Sequence, residues 1–143
     1  MSNIFFKQIN KKVTEEDIRF LYHLLESRKF SISHECMPTY EDHRYFVLNN
    51  PYFKWYIVSL NKISIGSIYI NSDNSVSINI LDRFIKYTEE VLSEFHNKFK
   101  PQDPIKSFRY KSFFFNLNPN DKFMINILEK NGYTLSQLTF RKN

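Results

Sequence analysis

Apolar and polar positions along this chain alternate between two spacings, and the switches between them divide it into elements. Residues 4–9 form a short apolar run that reads as a first strand. Thr14 then opens a segment, 14–29, in which Ile18, Leu21, Tyr22 and Leu25 follow helical spacing and Thr14 with Asp17 resembles a capping box. Thr39 opens a second short helix, 39–50, which Pro51 stops. Runs at 54–60, 64–70 and 75–80 are separated by turn residues and read as an antiparallel meander. Residues 82–99 read as one helix, with Phe84, Thr88, Val91, Phe95 and Phe99 along one side. A strand at 108–118 and a helix at 121–131 follow. Gly132 ends that helix as a left-handed C-cap, and a last strand covers 133–142. This order predicts an α+β fold: a mixed, mostly antiparallel sheet of about six strands with helices on both faces.

Composition narrows the class. The 143 residues suit a single domain spanning 1–143, with 42% hydrophobic positions and rings from 15 Phe and 9 Tyr to fill a core. The one Pro-rich loop, 100–107, has the length of a connection within a domain. Cys36 is the single cysteine; it forms no internal disulfide, reads as a small packing residue, and fits a reducing cytoplasm. No apolar run approaches the ~20 residues a membrane helix needs, and the start lacks the basic segment and cleavage site of a leader. The net charge of +5 is scattered, densest at 10–12 and 97–100. Neither cluster interleaves aromatics with arginines, which argues against a nucleic-acid partner. The positive balance suits a polyanionic ligand such as a nucleotide or coenzyme. His34, Cys36 and His43 match no usual zinc spacing, so no metal is expected.

Residues 116–133, NLNPNDKFMINILEKNGY, resemble the closing motif of the GNAT acetyltransferase superfamily, where an Asn-Pro strand end leads into a helix finishing Glu129-Lys130-Asn131-Gly132-Tyr133. Residues 32–43 followed by 50–70 resemble a bacterial subgroup often linked to acetylation of amino-sugar nucleotides. The resemblance covers nearly the whole chain. It implies acetyl transfer from acetyl-CoA to a primary amine of a small molecule, carried by proximity rather than by a covalent intermediate. It places the pantetheine arm along the strand carrying Ile78, Asn79 and Ile80. The phosphates fall at the following turn and helix start with Arg83, Lys86 and Thr88, and Asn118 and Asn120 lie near the coenzyme. The acceptor pocket falls between the loop joining the first helices and the central strands. His34 and Glu35 are the candidate bases there, and Tyr69 is a candidate proton donor. His43, at helical spacing from Phe46 and Val47, reads as a packing residue, and Gly66 as a site of close backbone or ligand approach.

The sequence also departs from that pattern. The stretch 81–92 holds no glycine where the family has a phosphate-cradling Gly turn. Asp121 stands where an Asn usually contacts coenzyme, and Met124 where a small residue lets it pass. Leu128 replaces a Tyr that protonates the departing thiolate, and leucine donates no proton. Two readings therefore stand: an acetyltransferase, or a non-catalytic module of the same fold acting through a partner or another ligand. Residues 83–88 separate them, as an open turn or as an early helix that plugs the site with Phe84 or Tyr87. The sheet edge near the last strand is compatible with a homodimer.

Overall fold

The computed structural model describes residues 3–28 and 36–143. Strand β1 (Ile4–Gln8) pairs antiparallel with β2 (Lys54–Leu60), β2 with β3 (Ile63–Ile70), and β3 with β4 (Ser75–Ile80), the meander that the turn residues predict. Strand β5 (Phe114–Phe115) runs parallel to β4 and ends the order β1-β2-β3-β4-β5. Helices α1 (Glu15–Glu26) and α2 (Tyr40–Leu48) precede the meander, and α3 (Thr88–Lys98) and α4 (Lys122–Lys130) stand on either side of β5 in sequence.

Alternation along β2 sends successive side chains to opposite faces. Trp55 and Ile57 pack with Ile18 and Leu21 of α1 and Val47 of α2. Tyr56 and Val58 turn the other way, onto Ile4 of β1 and Val91 and Phe95 of α3. Helices thus cover both faces. Each fully buried side chain such as Ile18 or Phe95 contributes about 1.5–3 kcal/mol. The Thr14 hydroxyl that caps Asp17 N–H at 3.1 Å contributes about 1 kcal/mol. Burial therefore decides where α1 docks, and the cap decides where it begins.

Three elements differ from the sequence reading. The helix expected at 82–99 divides into a 3-10 segment, Asp82–Tyr87, and α3. Leu81 is extended and supplies no side-chain cap, so nothing starts an α-helix there; the Thr88 hydroxyl donates to the Ile85 carbonyl at 2.7 Å where α3 begins. The strand expected at 108–118 shrinks to Phe114–Phe115, because Ile105 and Arg109 bridge to each other and Ser107 takes φ 67° between them, turning the chain back. The strand expected at 133–142 does not form, which makes the sheet five-stranded rather than six-stranded. Strands exist only by pairing, and beyond Tyr133 the backbone finds no hydrogen-bond partner among the described residues.

Both glycines have a backbone reason. A Cβ on Gly66 would sit against the Asn79 carbonyl oxygen and 2.7 Å from Ile80 Cδ1, so this glycine admits the neighbouring strand β4. Gly132 takes φ 89° directly after α4, the left-handed cap its position predicts.

The joint between β4 and β5 shapes the site. Only Ser75↔Phe114 and Val76↔Phe115 pair, after which β4 runs on to Ile80 without a neighbour on that side among the described residues. The cause is local to the other chain segment. Asp121 N–H bonds the Asn118 carbonyl at 3.0 Å and the Asp121 carboxylate caps Met124 N–H at 3.2 Å, which turns the backbone into α4. The two strands part and leave a wedge.

Candidate active site

The wedge is a cavity of about 330 Å³. Ser77 to Ile80 of β4 form one wall, Phe115 to Leu117 another, and Ile85, Thr88, Asp121 and Met124 close it. Past Val76 the β4 backbone on this side has no strand partner among the described residues, so a row of N–H and C=O groups borders the cavity. Phe84 and Tyr87 do not plug it; both pack against the core cluster around Val91 and Phe95. Of the expected coenzyme residues, Ile78, Asn79, Ile80 and Thr88 line the wedge. Arg83 and Lys86 do not: both are exposed, their cations 5.1 and 5.3 Å from the Phe84 and Tyr87 ring centroids. Asn118 and Asn120 also fall outside the lining, in a turn where the Asn118 side-chain oxygen accepts from Asn120 N–H at 2.9 Å. Leu128 is buried with Leu92 and Ile127. Tyr133 is occupied elsewhere, its hydroxyl 2.9 Å from His96 Nε2 and its pKa pushed up to about 12 by burial.

A second cavity, about 190 Å³, opens where α1 and α2 cover the meander. Its walls are aromatic. Tyr52 and Tyr69 stack with centroids 3.9 Å apart and planes 7° off parallel, and Trp55 meets Tyr52 edge-on at 5.0 Å. Asp42 and Arg28 bring the charges among the described lining residues. The two cavities share Arg28, Ser77 and Asn79, so they meet across β4. Ser77 and Asn79, two apart on one strand, present side chains to one face.

His43 is the residue whose role the spacing understates. It lines the aromatic cavity, is 5% exposed, and its Nε2 has no hydrogen-bond partner among the described residues. Burial lowers its pKa, and a hydrogen bond to the Ile18 backbone opposes that shift. A ring N–H donating to the Ile18 carbonyl accounts for that opposing shift, and Nε2 has no partner among the described residues. Trp55 Nε1, a donor, is also unpartnered among the described residues of this wall. Tyr52 is held well above the usual phenol range, first by burial and then by Tyr69, so it stays protonated. Tyr69 lines this aromatic cavity; His34 and Glu35 lie outside the described residues. The signal that would have separated His43 from a packing residue is its unpaired nitrogen, which no spacing encodes.

A meander whose last strand parts from a parallel neighbour, with helices on both faces, defines the class: this chain has the GNAT acetyltransferase fold. The spermidine N-acetyltransferase of Vibrio cholerae superposes with a TM-score of 0.62 over 94% of this chain and 81% of that one, at 12% identity. A ribosomal L7/L12 α-N-protein acetyltransferase in complex with coenzyme A gives a TM-score of 0.65 over 96% and 83%, also at 12% identity. The aminoglycoside acetyltransferase AAC(6')-Iy, bound to a bisubstrate analogue of coenzyme A and acetylneamine, gives 0.60 over 99% of each chain at 13% identity. At these identities the likeness is one of fold. No protein-family model and no curated protein matches the sequence. Among the described residues no cluster of His, Cys, Asp and Glu suits a metal ion, and no helix is long and apolar enough to cross a membrane.

Proposed function

We propose that this chain is an acetyl-CoA-dependent N-acetyltransferase acting on the primary amine of a small molecule. The observation that carries the reading is the junction at Ser77 and Asn79, where the wedge beside β4 meets the aromatic cavity. A coenzyme arm rich in amides suits the unpaired β4 backbone, and an acceptor amine suits the opposite side. Two of the structural neighbours hold coenzyme A or a coenzyme A conjugate, which supports this use of the fold.

Acetyl-CoA would supply the acetyl group as a thioester: the amine forms the amide as the acyl C–S bond breaks, CoA leaves as a thiolate, and the proton lost by the amine ends on that sulfur. This chain's part is to hold the amine at Ser77 and Asn79, keep water out with Tyr52, Trp55 and Tyr69, and accept the proton at His43 Nε2. Tyr69, His34 and Glu35 remain further candidates for proton handling. The stacked Tyr52–Tyr69 pair offers a flat apolar seat, which an amino-sugar nucleotide could use through its base. The second reading, a non-catalytic module, is favoured by one observation: Arg83 and Lys86 stand outside the wedge.

Isothermal titration with acetyl-CoA, and with CoA for comparison, decides between them. Micromolar binding is expected for the wild-type chain. Asn79→Trp, which fills the junction, should remove it while leaving the melting temperature within a few degrees. Absence of heat at millimolar coenzyme, with no thermal shift, would overturn the enzyme reading.

A further inference from the structure

The segment between α3 and β5 presents rings and cations together at one end of the sheet. From Asp103 to Ser112 every residue but Arg109 is exposed, with Ile105, Phe108 and Tyr110 at 46%, 55% and 65%. This exposure is built rather than loose. Ile105 N–H donates to the Arg109 carbonyl at 3.0 Å, and Arg109 N–H returns to the Ile105 carbonyl at 2.8 Å, closing a tight hairpin. The Arg109 guanidinium ties that hairpin to the body. It donates to the Asp103 and Ser72 carbonyls at 2.6 and 3.0 Å and to the Gln102 side chain at 3.2 Å. The Asn74 amide holds the far side, donating to the Tyr110 carbonyl at 2.8 Å. Phe108 stands at the tip, and its ring meets no other ring among the described residues.

Charge surrounds the apolar tip. Lys100, Lys106 and Lys111 are exposed, and none has an ion-pair partner among the described residues. With Arg109 they set four cations against one carboxylate, Asp103, between positions 100 and 112, which is more than half of the chain's +5. We propose that the hairpin at 103–112 docks this protein on a bilayer surface carrying anionic lipids. Ile105 and Phe108 enter the boundary between headgroups and acyl chains, and the lysines around them meet the anionic headgroups. Tyr110 suits the same depth, with its ring in the apolar layer and its hydroxyl in water. An apex that includes an isoleucine favours lipid over a nucleic-acid strand, whose bases stack on rings. The position leaves the candidate site free. None of the residues 100–113 lines either of its cavities, and the hairpin sits at the Asn74 end of β4 while the wedge lies toward Ile80.

Co-sedimentation with vesicles at low salt tests this, using phosphatidylcholine alone and phosphatidylcholine with a quarter phosphatidylserine. The wild-type chain is expected to bind the mixed vesicles, to be released as salt is raised, and to ignore phosphatidylcholine alone. Lys106→Glu with Lys111→Glu should weaken binding by about tenfold or more. Phe108→Ser should weaken it several-fold; these side chains are exposed, so the melting temperature should stay near wild type. Phe108→Trp should still bind, and lipid brominated in its acyl chains should quench its emission but not that of the wild type, whose Trp55 is buried. No binding of the wild type to mixed vesicles at low salt overturns the proposal. So does binding that Phe108→Ser leaves unchanged, or Phe108→Trp emission that brominated lipid does not quench. Capture of a single-stranded oligonucleotide by the same lysines, without vesicle binding, would assign the surface to nucleic acid instead. Because the lipid and salt dependence is read on the wild-type chain, the outcome stands even where a variant fails to fold.

Discussion

At the scale of single residues, His43 concentrates the functional argument. Its spacing from Phe46 and Val47 marks the inward side of α2, and the structure does bury it there. Burial alone would make it a packing residue. The free Nε2 in the wall of the aromatic cavity makes it a base candidate instead. His43→Gln keeps a polar side chain of similar length but cannot take up a proton at neutral pH. If His43 accepts the amine proton, kcat should fall by about 10²–10⁴-fold. Acetyl-CoA affinity, measured by titration, should stay unchanged. A purely structural role would lower the melting temperature and leave kcat per folded molecule near wild type. Gly132 was legible without a structure, since a glycine after a helix and before a strand-like run has one common use. Gly66 was half legible: sequence marked a close approach, and only the fold identified β4 as what approaches.

At the scale of elements, the site depends on how β5 is held against β4. Asn74 clamps the joint. It is fully buried at φ 73°, its amide donates to the Gln102 and Tyr110 carbonyls at 3.0 and 2.8 Å, and its side-chain oxygen accepts from Gln102 N–H at 2.9 Å. Its carbonyl also receives Phe114 N–H at 3.3 Å, the first bond of the parallel pair. With a fourth bond from Gln102 Nε2 to the same oxygen at 3.2 Å, four side-chain bonds at about 1 kcal/mol each predict that Asn74→Ala costs about 4 kcal/mol in urea denaturation. A loss below about 1 kcal/mol would assign the position of β5 to apolar packing around Phe113 and Phe115 instead. In sequence Asn74 is one more polar residue in a turn. Its partners lie 28 and 36 residues away, beyond any local pattern. Distance also explains why 82–99 is not one helix. Its apolar stripe is real, but the missing cap at Leu81 and the approach of β3 to that residue, with Leu81 N–H bonded to the Ile65 carbonyl at 2.9 Å, decide the winding.

At the scale of the whole molecule, desolvation of two imidazoles, the buried His43 and the more exposed His96, makes stability depend on pH. His43 is held below its usual 6.5 by burial, and His96 likewise by burial and then by Lys100. Both folded pKa values lie below the unfolded ones, so the folded state favours the neutral rings. That contribution is complete above the unfolded value of 6.5 and is lost as pH falls through the folded values. The urea midpoint should therefore be flat just above that pH and decline below it, and His43→Gln should flatten part of the decline. A midpoint that rises on acidification through this window would contradict neutral histidines in the fold. What the sequence by itself determined was local: where α1, α2 and α4 start and stop, the meander, and the left-handed cap at Gly132. Capping, period and turn chemistry act over a few residues and are written in order along the chain. Only the tertiary structure decided that β4 and β5 part after two residue pairs, that the wedge and the aromatic cavity meet at Ser77 and Asn79, and that the tail after Tyr133 finds no strand to pair with among the described residues. Those outcomes depend on which distant backbone edges and buried groups come together, and residues 28 to 36 positions apart carry no shared local signal.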